Sequence, residues 1–234
     1  MTALPVGPVP GTLAALAGTA EATSAAVLHE GRLHCRRQPG RAQHASHLLP
    51  LLDELMADLG LARADLDAVA FARGPGSFTA GRIVVASAQG LGLGLGVPLI
   101  PVSSLAATAW TAECHQCAVA LDAGRGEVYW GLFRRTAEGV EGLGDEQVAT
   151  PEALVLAEPG SGSWWGVGSG WFAAGDALAS RMGSALAGQH PEISGEADAV
   201  AALAVAPWRE GATLAPSQAV PTYLRASYAE EPAG

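Results

Sequence analysis

The sequence predicts an α/β protein made of two similar lobes, each of which opens with a β-meander. The chain has 234 residues, of which 49% are apolar and 15% are charged. A chain of this length and composition can bury a sizeable hydrophobic core. Short apolar strands alternate with segments of helical periodicity. The pattern of residues 13–35 also returns at residues 117–143, an internal repeat with an offset of about a hundred residues.

The first meander is predicted from three apolar runs within residues 13–35. Turns near Ala17–Gly18 and at Glu30–Gly31 separate these runs. A helix is predicted next, from about Ser46 to Leu59, because its leucines recur every three or four residues and form one stripe.

A strand, a glycine-rich turn and a second helix are predicted to follow. Leu66–Ala72 has the length and composition of a buried strand, and the turn RGPGS separates it from a helical pattern over Phe78–Leu95. Ser77 is the predicted N-cap of this helix. Val97–Pro101 is then expected to form a strand, and a third helix begins at Val102–Ser104.

The second lobe is predicted from the repeat, in which Glu127 holds the place of Glu21 and Glu138-Gly139 that of Glu30-Gly31. Beyond its meander, helices are predicted over residues 151–157, 171–187 and 196–206. The expected organisation is a flexible lead-in at 1–11, a first lobe at 12–105, a second lobe at 106–220 and a tail containing PTYLR at 221–234.

The charged residues exclude several kinds of chemistry. All 13 basic residues are Arg, so no lysine is present for a Walker A loop, a Schiff base or a kinase-type phosphate contact. Residues 1–105 hold 7 Arg and 7 acidic residues, whereas residues 106–234 hold 6 Arg and 16 acidic residues and carry the whole net charge of −10. A chain this acidic is not expected to bind nucleic acid by itself.

The glycine-rich turn is a candidate anion site. Gly74, Gly76 and Ser77 lie where the free backbone N–H groups of a helix N-terminus could hold a phosphate. The turn matches neither GxGxxG nor GxxxxGK[ST], so a tight turn with a helix cap is the alternative. Arg82, one turn into the helix, suits an anion or a carboxylate of a partner.

Asp122 has two interpretations. It ends an apolar strand beside a glycine turn, a position from which a carboxylate can hold Mg²⁺ and a nucleotide or can cap the turn. The first acidic residue of the chain is Glu21, so the corresponding strand of the first lobe ends without a carboxylate.

Two short patterns of His and Cys make poor metal sites. His44 and His47 are three residues apart with no Glu between them, unlike HExxH, and no third ligand is evident. Cys114 and Cys117 form a single CxxC, whereas a zinc site usually needs a second pair. We therefore expect no metal site. Three cysteines also make no disulfide framework, which favours a reducing compartment.

Several motifs, in order along the chain, resemble those of the TsaB (YeaZ) family of bacteria. GPGSFTAGRI at 74–83 and AQGLGLG at 88–94 are close to the family's GPGSFTGxRIG and AQGLALG. LDAGRGEVY at 121–129 resembles (I/L)DARxGEVY. Further matches are HxxxLLP at 44–50, PVSSL at 101–105 and PTYLR at 221–225.

The resemblance implies the actin/sugar-kinase/Hsp70-like ATPase fold, with two RNase H-like lobes that each hold a mixed sheet and helices. It implies a non-catalytic scaffold subunit that pairs with a TsaD-like transferase subunit and acts with a TsaE-like ATPase. The complex transfers threonylcarbamoyl from threonylcarbamoyl-adenylate to N6 of adenosine 37 in ANN-decoding tRNAs. The chain is then expected to have no intrinsic cofactor, with ATP and Mg²⁺ only in the complex and tRNA reached only through it.

The resemblance also implies which residues are functional. Helices of the first lobe form the heterodimer in this family, and an alternative homodimer. The candidate interface residues are therefore Leu48, Leu52, Leu55, Phe78, Arg82 and Val85, some of which must instead pack the core. The expected remnants of a nucleotide site are Gly74, Gly76, Ser77 and Asp122.

One departure from the family pattern bears on catalysis. The family's opening motif has an Asp where this chain has Ala17 or Gly18. In active members of the wider fold that Asp helps to organise Mg²⁺ and phosphate, so its loss opposes ATPase activity and leaves a scaffold role intact. The alternatives are a kinase-like ATPase that uses Asp122 and a metallopeptidase that uses His44 and His47, for which ligands are too few.

The expected location is the cytoplasm. The first residues lack the basic and long apolar regions of a signal peptide, and no run of about 18 strongly apolar residues suggests a membrane span.

Overall fold

Two mixed β-sheets organise the residues that the computed structural model describes, which are 11–40, 44–155 and 163–225. The strands of the first sheet are β1 (Leu13–Gly18), β2 (Ala22–His29), β3 (Arg32–Pro39), β4 (Ala68–Ala72) and β5 (Leu99–Val102). Their order across the sheet is β3-β2-β1-β4-β5. The first three strands form an antiparallel meander, and β1, β4 and β5 run parallel.

The second sheet repeats this plan. Its strands are β6 (Gln116–Gly124), β7 (Glu127–Arg135), β8 (Val140–Gly142), β9 (Gln147–Ala149), β10 (Trp164–Val167) and β11 (Leu186–His190). The order is β11-β10-β6-β7-β8, and β9 also pairs with β7. Strands β6 to β8 form an antiparallel meander, while β10 runs parallel to β6 and to β11. The predicted α/β fold with two mixed sheets is confirmed.

Tight turns join the antiparallel strands of both meanders. Glu30 and Gly31 have φ values of 49° and 74°, and Arg125 and Gly126 have φ values of 60° and 78°. Two consecutive residues with positive φ make the type of hairpin turn whose twist matches that of antiparallel strands. The turn predicted at Glu30–Gly31 is therefore confirmed.

The helices of the described ranges are α1 (His44–Asp58), α2 (Phe78–Leu95), α3 (Ser104–Thr111), α4 (Gly170–Met182) and α5 (Ala197–Arg209). Helix α2 has the predicted bounds, and the predicted N-cap is confirmed because the Ser77 hydroxyl accepts a hydrogen bond of 3.4 Å from the Ala80 N–H. In the described part of the chain, no helix combines the length and the apolar character needed to cross a membrane.

Strands β1, β2, β4 and β5 of the first sheet are buried on both faces, which explains their mainly apolar sequences, whereas the edge strand β3 is largely exposed. On one face, Ala14 and Leu16 of β1 pack with α1 and α2, and on the other face Leu13 and Ala15 pack with α5. Helix α5 lies within the range that the sequence assigns to the second lobe, yet it packs on strands of the first sheet. The chain therefore returns to the first lobe after it has built the second.

Helices α3 and α4 cover the second sheet. Trp171 and Leu178 of α4 pack against Trp130 on one face, and Leu105 of α3 packs against Val119 on the other. Helix α3 also contacts α5, so it lies between the two lobes and joins their cores.

Two predicted helices differ from the structure. Of the helix predicted at 151–157, Pro151–Ala153 forms one 3₁₀ turn, and 156–157 lie outside the described residues. The helix predicted at 171–187 ends at Met182, because Gly183 takes a φ of 53° that favours glycine, and the chain then enters β11.

Candidate functional site

A cleft of about 350 Å³ lies between the two lobes. The first lobe contributes residues 18–21, which begin with the last residue of β1, and residues 75–77, which follow β4. The second lobe contributes the end of β6, the first residues of α4 and the segment 191–195. This is the edge at which the strands present their carboxyl ends, where open α/β sheets commonly bind ligands.

The glycine-rich loop is used mainly as a turn and a cap. Gly76 and Ser77 line the cleft, whereas Gly74 is not among its lining residues. The Gly74 carbonyl accepts a hydrogen bond of 3.0 Å from the Ser104 N–H, and a Cβ at Gly74 would lie 3.4 Å from the carbonyl oxygen of Thr222. Because the Ser77 hydroxyl caps α2, these contacts favour the tight turn over the anion site.

Asp122 also caps a turn. Its Oδ1 accepts a hydrogen bond of 2.8 Å from the Gly124 N–H, and its own N–H donates to the Ser169 hydroxyl at 3.1 Å. Of the two interpretations of Asp122, these contacts favour the structural one.

The cleft is acidic where a nucleotide would need positive charge. Glu21, Asp122 and Glu192 line it, and none of the described lining residues is Arg or His. Ala17 and Gly18 end β1, so the position to which the resemblance assigns an Asp carries no charge. A polyphosphate would be repelled here unless bound cations neutralised it.

The His and Cys patterns gather no further ligands. Across the ranges described, no group of three or more His, Cys, Asp and Glu side chains could hold a metal ion. The side chain of His44 lies outside the described part of the chain. Burial raises the pKa of the Cys117 thiol to about 12 and also raises the pKa of Cys114. Thiols that remain protonated are poor ligands and poor nucleophiles.

Four of the six residues predicted for a partner interface are buried in the core of the first lobe. Leu48 and Leu52 are completely buried, and Leu55 and Val85 are only 5% and 3% exposed. They pack in one cluster with Phe71 of β4. The expectation that these four side chains face a partner is therefore corrected. An apolar stripe can cover the helix's own sheet or a partner, and its spacing does not distinguish the two.

Helix α2 nevertheless has a second, exposed surface. Its residues recur every three or four positions and are Thr79, Arg82, Ala86, Gly90 and Leu93. We call this surface, together with Phe78 at the start of the helix, the outer face of α2. Leu93 is 69% exposed and Phe78 is 60% exposed. Arg82 is the one charged residue in the sequence of α2, so the outer face is largely apolar with a single cation.

Two aromatic rings hold Arg82 in place. Its guanidinium carbon lies 3.7 Å from the centre of the Phe78 ring and 5.8 Å from the centre of the Tyr223 ring. Its Nε donates a hydrogen bond of 3.0 Å to the Tyr223 hydroxyl. Tyr223 is 56% exposed and extends the outer face of α2. Tyr223 is not among the site residues predicted from the sequence, although its motif PTYLR was a signal for it.

The segment that supplies Tyr223 also reaches the second lobe. The Thr222 N–H donates to the Arg73 carbonyl at 2.8 Å. Arg225 donates to the Ala123 carbonyl at 3.1 Å and forms an ion pair with Glu127. Residues 222–225 therefore contact both lobes, and we call them the C-terminal strap.

The two lobes share one topology, and a cleft lies between them at the carboxyl ends of their strands. This arrangement defines a protein of the actin/sugar-kinase/Hsp70-like class of fold. Comparison with known proteins agrees with this class and narrows it. Residues 39–227 match the model of a protein family described as "TsaD: tRNA N6-adenosine threonylcarbamoyltransferase".

The most informative relatives are TsaB proteins. The "tRNA threonylcarbamoyladenosine biosynthesis protein TsaB" of Escherichia coli (strain K12) is 35% identical over 211 residues, which cover 88% of this chain and 90% of that protein. The protein of the same name from Haemophilus influenzae is 37% identical over 174 residues, 69% of this chain and 73% of that protein. The solved structure "YeaZ from Pseudomonas aeruginosa" has a TM-score of 0.85 and 35% identity, and the match covers 92% of this chain and 100% of that one. The chain belongs to the TsaB (YeaZ) family.

Proposed function

We propose that this protein is a scaffold subunit in the formation of tRNA N6-threonylcarbamoyladenosine and that it docks a TsaD-like transferase subunit through the outer face of α2. The observation that carries the proposal is that a member of the TsaB family leaves this apolar helix surface uncovered. Leu93 and Phe78 expose large apolar side chains, while Ala86 and Gly90 allow a second helix to approach closely. Exposed apolar surface of this kind is typical of protein interfaces.

The same proposal assigns the chemistry to the partner. The cleft of this chain is acidic, and Asp122 is engaged as a turn cap. We therefore propose that ATP and Mg²⁺ belong to the assembled complex, with a TsaE-like ATPase, and not to this chain alone. With its net charge of −10, this chain would leave most contacts with tRNA phosphates to the partner. Work on tRNA would place the complex in the cytoplasm.

The first experiment is co-expression with the TsaD-like protein of the same organism, followed by size-exclusion chromatography with light scattering. We expect a stable heterodimer. The Ala86→Arg variant should abolish it, because a long cation would stand in the middle of the docking surface. The folded monomer should persist, since Ala86 is exposed and Arg is nearly as good a helix former as Ala.

The matched control is Ala153→Arg, which makes the same change at an exposed position of the second lobe. This control should pair like the wild-type protein. Equal loss of pairing in both variants would contradict docking at α2. Failure of the wild-type protein to associate, with and without ATP, the TsaE-like ATPase and tRNA, would overturn the scaffold proposal itself.

The same variants test whether the isolated protein forms a homodimer through α2. We expect any homodimer to use the outer face of α2 as well, so that Ala86→Arg would shift light scattering of the isolated chain to the monomer mass. A homodimer that persists in Ala86→Arg would have to use another surface.

The kinase-like alternative has a separate test. Turnover of Mg-ATP by the isolated chain, abolished in Asp122→Ala, would favour an enzyme over a scaffold. No turnover above a buffer control is the result that our proposal expects.

A further inference from the structure

We infer that Arg82, Phe78 and Tyr223 form a preorganised site for a carboxylate, and that its occupant is an Asp or Glu side chain of a protein different from this chain. This inference rests on the proposed docking role of α2 and specifies the chemistry of the partner at one point of the interface.

Arg82 is held in place before any partner binds. Its Nε already donates to the Tyr223 hydroxyl at 3.0 Å, and its planar guanidinium lies 3.7 Å from the centre of the Phe78 ring. None of the described carboxylates forms an ion pair with Arg82, so its two terminal nitrogens keep their donors available. A guanidinium binds a carboxylate best through two parallel N–H donors, and holding the group in advance lowers the entropy lost on binding.

Arg82 is also an isolated cation on the outer face of α2. Arg82 is the one charged residue in the sequence of α2, and the remainder of the outer face is apolar or small. Its aromatic neighbours Phe78 and Tyr223 are 60% and 56% exposed, so a partner that covers them also removes water from the guanidinium. A buried charge without a counter-charge is costly, whereas one matched by a carboxylate gives specificity. A partner that covers this face is therefore expected to present an acid to Arg82.

The helices that flank Arg82 make a second copy of this chain a poor source of the carboxylate. The acidic residues of the neighbouring helix α1 are Asp53, Glu54 and Asp58, and each is already paired. Asp53 binds Arg63 at 2.6 Å, and both Glu54 and Asp58 bind Arg36. Helix α2 and the C-terminal strap contain no acidic residue. A second copy that met this one through these elements would thus bring no unpaired carboxylate of α1, α2 or the strap to Arg82, and it would add a second net charge of −10.

The test measures the dissociation constant of the heterodimer with the TsaD-like protein at 50 and 300 mM salt. Arg82→Gln should weaken binding by about 10- to 100-fold at low salt and should remove most of the salt dependence. Arg82→Lys should give an intermediate dissociation constant, because lysine keeps the positive charge but lacks the two parallel N–H donors of the guanidinium. Tyr223→Phe keeps the ring and removes the hydroxyl, and it should weaken binding by about threefold.

Arg134→Gln is the matched control. Arg134 is a half-buried arginine on β7, outside the first lobe, and it pairs with Glu141 at 3.7 Å, so its loss should leave the dissociation constant unchanged. All variants should keep the thermal midpoint of the wild-type protein within a few degrees. The partner's acid is then located by replacing its exposed Asp and Glu residues one at a time. One of them should be coupled to Arg82 in a double-mutant cycle.

The outcomes separate this inference from the proposed function. If the wild-type chain binds no TsaD-like protein, the docking role fails and this inference fails with it. If the wild-type chain binds and Arg82→Gln binds equally well with the same salt dependence, only the carboxylate site is overturned. If Arg82→Gln weakens self-association of the chain and leaves the heterodimer unchanged, the occupant is a second copy and the inference is also wrong.

Discussion

Arg225 and Glu127 lie 98 positions apart in the sequence, and their ion pair ties the C-terminal strap to the second lobe. Two residues before Arg225, Tyr223 accepts a hydrogen bond from Arg82 of the first lobe. The strap also lies beside Gly74, so it crosses the glycine-rich loop at the edge of the cleft. A short segment thus links the docking helix, the cleft and the second sheet.

We predict that Arg225→Ala lowers the free energy of unfolding by about 1 to 2 kcal/mol, since it removes both the ion pair and the hydrogen bond to the Ala123 carbonyl. The paired side chains are only 33% and 30% exposed, so solvent screens them less than most surface pairs. Urea unfolding measures the change. Arg134→Ala is the control, because its pair with Glu141 is longer and more exposed and should contribute little. An equal decrease in the free energy of unfolding in the two variants would contradict a stabilising role of the C-terminal strap.

Helix packing gives a second prediction, in which Leu52→Ala lowers the free energy of unfolding by about 2 to 5 kcal/mol. Leu52 is completely buried between α1 and the first sheet, so the truncation leaves a cavity. Leu93→Ala, the same change at a residue that is 69% exposed, should remain within about 0.5 kcal/mol. Chemical denaturation of both variants checks the assignment of core and outer face. A large loss at Leu93 would show that the outer face is part of the fold.

Two glycines of α2 give a third prediction, with opposite signs. A Cβ at Gly90 would meet nothing within 4 Å, so Gly90→Ala should stabilise the helix by about 0.5 to 1 kcal/mol. A Cβ at Gly92 would lie 2.9 Å from Leu99 and from Pro216, so Gly92→Ala should destabilise the protein by about 1 to 3 kcal/mol. The thermal midpoints of the two variants should move in opposite directions. A shift in the same direction for both would mean that helix propensity outweighs packing at Gly92.

Glu146 gives a prediction about pH. Burial raises the pKa of its carboxyl above the ordinary value of 4.5, although the Ser103 hydroxyl and the charge of Arg73 partly oppose this rise. The folded protein therefore binds the proton more tightly than the unfolded chain does. This stabilising contribution is present below about pH 4.5 and is lost as the pH rises through the folded pKa.

In Glu146→Gln the titrating group is absent, so the variant should gain stability relative to the wild-type protein as the pH increases from about 4 to 7. Urea unfolding of both proteins across this range gives the difference directly. A difference that is constant, or that falls with pH, would contradict the raised pKa.

Local signals explain what could be predicted along the chain. The Glu30–Gly31 turn needs only two neighbouring residues that tolerate positive φ, and the start of α2 needs only Ser77 in front of an apolar periodic run. The helix predicted at 171–187 failed beyond Met182, because Leu186–His190 is ordered by pairing with β10 and not by its own sequence pattern. The sequence of a five-residue segment carries little information about its pairing with another strand.

By itself, the sequence determined the two-lobed plan, the bounds of α2 and membership of a family. The bounds of α2 and the family motifs depend on residue types at short, fixed spacings, and the two-lobed plan depends on a meander pattern that returns about a hundred residues along the chain. Only the tertiary structure decided that Leu52 is core whereas Leu93 is exposed, that Tyr223 holds Arg82, and that α5 packs on the first sheet. Burial and side-chain contact depend on which distant parts of the chain meet a residue, and helical periodicity describes only the residue's own segment.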